Sequence, residues 1–202
     1  MSKLSHVLLA AGAVFMLAGC GTEEAPAVPE SQASEAPITQ QSELLAACQD
    51  TEELAEVAEH SCTHAEYGPF ESVTAAPYGG PSFVDVSVEH TAYNVTLPAI
   101  SFHKWTLGYA GSVIFTPEES TEYAFLTSGY RAIRVVNAAT NEEVGLECRY
   151  NIPQEVCGSL RTAVTADLEG GVDYRVDFAA IVPQPATFLL VIEETAHDHH
   201  EE

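Results

Sequence analysis

The run Ser112-Val113-Ile114-Phe115-Thr116, the break at Pro117-Glu118 and the run Tyr123-Ala124-Phe125-Leu126-Thr127 decide the fold class. Each run is short, rich in β-branched and aromatic residues, and closed by turn-forming residues, which is the pattern of strands. Upstream, residues 83–88 and 93–97 repeat it; downstream, so do residues 132–136, 174–178 and 188–192. Gly79-Gly80, Asn141-Glu142 and Gly170-Gly171 supply further turn signals between the runs. Apolar parity flips between Val84, Val86, Val88 and Tyr93, Val95, Leu97, so a bulge or turn is expected at residues 89–92. No unit recurs at a fixed period, which disfavours a propeller or solenoid. The expected fold is all-β, a jelly-roll-like β-sandwich.

The chain has 202 residues, with 30 Asp and Glu against 7 Lys and Arg, a formal net charge of −23. That charge excludes a nucleic-acid partner, because phosphate binding needs clustered Lys and Arg to displace counterions. Lys3 precedes an apolar run at residues 7–18 that ends at Gly19-Cys20. A basic start, a short apolar core and a small-residue site make an export signal, and the run is too short to span a bilayer. Leu17-Ala18-Gly19-Cys20 resembles the bacterial lipobox, which implies cleavage after residue 19, lipidation of Cys20 and a periplasmic or surface-facing outer-membrane lipoprotein. Residues 20–43 contain Pro26, Pro29, Pro37 and no basic side chain, a composition that reads as a disordered acidic tether. The folded domain is expected over residues 44–194, and residues 195–202 form a His-rich acidic tail.

In an exported chain the four remaining cysteines, Cys48, Cys62, Cys148 and Cys157, read as two disulfides with three possible connectivities. Local pairing, Cys48–Cys62 and Cys148–Cys157, brackets one short segment each and is the expected arrangement. Between the first two, Leu54, Val57 and Ala58 recur at helical spacing. Asp50 and Glu53 have the spacing of a capping box, giving a short helix at residues 50–60 closed by its disulfide.

Histidine is the informative residue for chemistry. His60 and His64 stand four apart, which on a helix places both rings on one face, provided the helix runs one turn past Cys62. His90 falls at the expected bulge, and His103, in Ser101-Phe102-His103-Lys104-Trp105, is expected on a strand with Trp105 on the same face. His60, His64 and His90, with His103 or a carboxylate as fourth donor, suit tetrahedral zinc, whereas a tetragonal nitrogen and oxygen set suits copper. His197, His199 and His200 crowd the last six residues and read as a weaker, scavenging metal tract. Asp167, Glu169 and Asp173 offer oxygen donors for calcium, although a hairpin at Gly170-Gly171 accounts for them as well.

Residues 93–193 resemble the bacterial pre-peptidase C-terminal sandwich domains of secreted proteins. The likeness is carried by residues 122–129, by residues 167–176 through Asp167-Leu168-Glu169-Gly170-Gly171, and by the closing run Phe188-Leu189-Leu190-Val191-Ile192. It implies a sandwich fold and no activity, since no peptidase fits in the remaining chain. The Gly-x-Ser-x-Gly, His-Glu-x-x-His, Walker and Cys-x-x-Cys-His motifs are all missing from the sequence. The leading expectation is therefore a non-catalytic, lipid-anchored protein that binds zinc or copper. The alternatives are an accessory module that uses aromatics such as Tyr67, Phe70, Tyr78, Trp105 and Tyr109 on a protein or glycan, and a zinc hydrolase with Glu59 or Glu66 as base.

Overall fold

The computed structural model describes residues 45–49, 51–81 and 84–195, without the side chains of Phe102 and Trp105. The expected leader, the lipidation residue Cys20, the tether and the tail histidines His197, His199 and His200 lie outside these residues.

Alternating apolar residues build two six-stranded sheets that face each other as a β-sandwich. One sheet runs in the order β1 (Phe70–Thr74), β3 (Ala92–Thr96), β12 (Thr187–Glu194), β6 (Thr121–Thr127), β10 (Thr162–Leu168) and β9 (Arg149–Asn151). The other runs β2 (Ala76–Pro77), β5 (Trp105–Phe115), β11 (Tyr174–Ile181), β7 (Ala132–Asn137) and β8 (Glu143–Val144), with β4 (Ala99–Phe102) also paired to β5. Phe125, Val135, Val176, Phe178 and Leu190 are fully buried between the sheets. The runs expected at 112–116 and 123–127 fall in β5, up to its end at Phe115, and in β6.

Strand β12 is apolar on both faces. Phe188, Leu190 and Ile192 enter the sandwich core, whereas Leu189 and Val191 face the other way. That second face is covered by helix α1 (Glu52–Tyr67), whose Leu54, Val57, Ala58, Ser61 and Ala65 are buried at helical spacing. These residues pack with Ala92, Ala124, Leu126, Ala163 and Leu160 into a second core. The first sheet is thus buried on both faces, a middle layer between the helix and the second sheet.

The helix is longer than the sequence pattern indicates, extending to Tyr67 and not ending near residue 60. Its N-cap position is Thr51, which makes no side-chain cap bond; the expected cap, Asp50, lies outside the described residues. Gly68 ends the helix at φ +80°, where a β-carbon would press on the Phe70 ring at 2.8 Å. The expected strand at 83–88 is reduced, among its described residues, to a single bridge between Asp85 and Ile114. Beside it, the turn expected at residues 89–92 is present at Glu89 and His90.

The local disulfide pairing is overturned. Cys48 bonds Cys148 and Cys62 bonds Cys157, across 100 and 95 residues. The reason is tertiary. Ala47 forms a parallel bridge to Arg149 on β9, and α1 lies across the middle sheet, so each early cysteine meets a partner from the later half. Bonding of Cys62 also removes it as a thiolate metal ligand.

Candidate metal centre

Three backbone features bring the site together. Helix α1 runs through Cys62 to Tyr67, so His60 and His64 do share a face. Beyond Gly68-Pro69 the chain enters β1, which pairs in parallel with β3 from Phe70 opposite Ala92, and the Ala92 N–H donates to the Pro69 carbonyl. The start of β3, and His90 just before it, therefore sits beside the C-terminal end of α1. Next in the sheet, β12 runs antiparallel to β3 with Leu190 opposite Tyr93. Continuing that register places Glu193 opposite His90, on the face that Leu189 and Val191 turn toward the helix.

His90 adopts φ +52°, in the left-handed region. Such conformations are uncommon outside glycine and are held by their surroundings, often where a side chain must be aimed. Here the conformation aims the imidazole at the helix. His60 Nε2 lies 3.2 Å from His64 Nε2 and 3.4 Å from His90 Nδ1. Glu193 Oε2 lies 3.4 Å from His90 Nδ1, and its Oε1 lies 3.9 Å from His64 Nε2. The four donor atoms all fall within 4.8 Å of one another. Nitrogen and oxygen donors about 2.0–2.1 Å from a tetrahedral zinc stand about 3.3 Å apart, so the closest contacts match the edges of that tetrahedron.

The site is graded from wet to dry. His90 is half-exposed and His60 is exposed, whereas the Glu193 side chain is only 4% accessible. Burial pushes the Glu193 carboxyl up to about 7, opposed by the neighbouring His90 and reinforced by Glu89 and Glu194. Burial likewise pulls the His64 imidazole below its ordinary value; the backbone of Gly68 opposes this, and the charge on His90 adds to it. Glu193 Oε1 is buried and has no hydrogen-bond partner. A buried carboxylate oxygen left without a donor is costly, and a cation among the four groups would satisfy it.

Of the expected ligands, the structure brings His60, His64 and His90 together. His103 is elsewhere: with Lys104 it forms the two-residue turn of the β4–β5 hairpin, at φ +54°, and not a strand position. Left-handed turns of that length match the twist of paired strands, which explains its backbone. The fourth side chain of the cluster is Glu193, which the sequence reading did not single out. Its signal was the two-sided apolar character of residues 188–192, which shows that both faces of the strand are covered and that Glu193 continues one of them. Asp167, Glu169 and Asp173 are not gathered into a cation site among the described residues. Asp173 instead accepts a hydrogen bond from Thr116, and the Glu169 N–H donates to Tyr174. Glu59 and Glu66 are exposed on α1 and stand outside the cluster.

No family model matches the chain, and no match was found among curated proteins or solved structures.

Proposed function

We propose that the protein is a non-catalytic zinc-binding protein in which His60, His64, His90 and Glu193 hold one ion. The observation that carries this reading is the buried Glu193 carboxylate, with one oxygen unpartnered, facing three imidazoles, the four donor atoms within 4.8 Å of one another. Three imidazole nitrogens and one carboxylate oxygen are a donor set that zinc takes, and copper is the alternative ion for the same nitrogens. Four protein donors fill a tetrahedron and leave no open position for substrate water, which favours holding an ion over hydrolysis. Exposure of His60 and His90 gives the ion a route in and out. The surface charge of −23 raises the local cation concentration and speeds capture.

Zinc titration of the purified chain lacking residues 196–202 tests the reading. One tight site is expected, weakened at least a hundredfold by His64→Ala and by Glu193→Gln. Equal affinity in all three proteins would overturn it.

The export reading belongs to the same proposal: cleavage before Cys20 and acylation there would hold the domain at the outer membrane on its acidic tether. Disulfides across 95 and 100 residues suit an oxidising compartment. Labelling with a fatty-acid analogue should be lost in Cys20→Ala. A second reading, an accessory module for a protein or glycan, draws support from Ile100, Leu107, Ile181 and Val182. These are exposed where β4, β5 and β11 meet.

A further inference from the structure

Near the opposite end of β12 from Glu193 lies a cleft of about 300 Å³. Arg149 of β9 and Thr162 of β10 line it from the middle sheet, and Ala132 of β7 and Ile181 of β11 line it from the second sheet. The chain carries 30 Asp and Glu against 7 Lys and Arg, yet two of those seven, Arg131 and Arg149, line this cleft and no Asp or Glu does. Its charge is therefore the reverse of the chain's overall balance.

Both guanidinium groups are placed by the fold. Tyr150 turns into the helix-side core, so its neighbour Arg149 on β9 faces the other way, toward the second sheet. Arg131 Nη1 donates to the Tyr130 carbonyl and Nη2 to the Pro185 carbonyl, each at 2.9 Å, and its Cζ lies 4.8 Å from the Phe188 ring centroid. Gly129 leaves room for it, since a β-carbon there would stand 3.2 Å from Nη1. These carbonyls and the ring orient the guanidinium and carry no formal negative charge. Arg131 is almost fully buried, and burial pulls it below its ordinary value. An anion in the cleft would offset that desolvation.

The rest of the lining is neutral and largely apolar. Tyr130 and Ile181 are exposed, and Ile181 continues into the exposed apolar strip of Ile100, Leu107 and Val182. A cation would meet two guanidinium groups here, a bare phosphate would leave the apolar wall uncovered, and a neutral apolar molecule would desolvate the charges without pairing them. An organic carboxylate fits both halves. Its head accepts charge-assisted hydrogen bonds from arginine, and its body covers apolar surface. The volume stands at the low end of the range of about 300–1,000 Å³ typical of ligand sites, which limits the body to a short chain or a single ring.

We propose that this cleft binds a small organic carboxylate, with its head at Arg131 and Arg149 and its apolar body against Tyr130 and Ile181. The proposal does not depend on the metal reading. The test uses the full mature chain at physiological salt, titrated calorimetrically with octanoate, with neutral octanamide and with inorganic phosphate. Saturable binding of octanoate is expected, with the amide and phosphate each at least tenfold weaker. Arg149→Gln and Ile181→Ser should each cost about tenfold in octanoate affinity, and Arg149→Lys should recover part of the first loss, with near-ultraviolet circular dichroism confirming that the variants fold. His64→Ala, which removes a zinc donor outside the cleft, should leave octanoate binding unchanged and so separates the two sites. Binding of the amide or of phosphate as tight as that of octanoate would overturn the proposal. So would no octanoate binding at millimolar concentration, or octanoate affinity unmoved by both Arg149→Gln and Ile181→Ser.

Discussion

Glu193→Gln separates the electrostatic cost of the metal-free site from its use. Glu193 is buried, and its carboxyl is raised from 4.5 to about 7 in the folded chain. Between those values the folded state holds a proton that the unfolded state has released, so stability falls as pH rises through that window. At about 1.4 kcal/mol per pH unit, the metal-free protein loses about 2–3 kcal/mol from pH 5 to pH 8 through this one group. Glutamine has the same shape and does not titrate. Urea unfolding of both disulfide-intact proteins in a chelator, at pH 5 and pH 8, reads the difference between their pH dependences, in which most other titrations cancel. The wild type should fall relative to the variant by that amount, about 5–10 °C in Tm for a domain of this size. Zinc at a hundred times the wild-type Kd should offset that loss at pH 8: it keeps Glu193 ionised and stabilises the wild type by about 2.7 kcal/mol, against about 0.4 kcal/mol for a variant whose site is a hundredfold weaker. Parallel pH curves for the two metal-free proteins would refute the argument that burial of Glu193 outweighs the neighbouring His90.

Other outcomes follow from the same structure. Non-reducing peptide mapping should recover Cys48 linked to Cys148 and Cys62 linked to Cys157; removing the latter by a double Ala substitution should cost about 3 kcal/mol, because with Cys48–Cys148 intact the bond closes a loop of only about 25 residues. Leu54→Ala, at the buried face of α1, should destabilise the domain by about 2–4 kcal/mol in denaturant unfolding and weaken zinc binding by loosening the helix that carries two ligands. His103→Ala should leave zinc affinity unchanged within twofold, since that residue lies in the β4–β5 turn; a tenfold loss would place it in the site.

The strands that were legible from sequence are those whose side chains alternate with β-branched or aromatic residues, β3, β5, β6, β7, β11 and β12. Strand β10 escaped notice because Thr-Ala-Val-Thr-Ala-Asp-Leu, despite its β-branched Thr and Val, is buried on both faces and so lacks apolar alternation, with alanines at two of its buried positions. Gly108 and Gly111 obscured the first half of β5. At Gly111 a β-carbon would strike Ala75, Ala76 and Pro98 within 3 Å, so the glycine marks a close approach and not a turn. The three clustered histidines were legible through the i, i+4 spacing and the parity flip before β3. Glu193 and the disulfide partners were not, because both depend on where α1 docks, and docking is set by the apolar back face of the middle sheet.

X-ray absorption on the zinc-loaded chain lacking residues 196–202 tests the central claim most directly. The account expects one ion per chain with three imidazole nitrogens and one carboxylate oxygen at about 2.0–2.1 Å, and loss of the carboxylate shell in Glu193→Gln. A chain that retains no zinc without its tail, or a shell with fewer than three imidazoles, would contradict it.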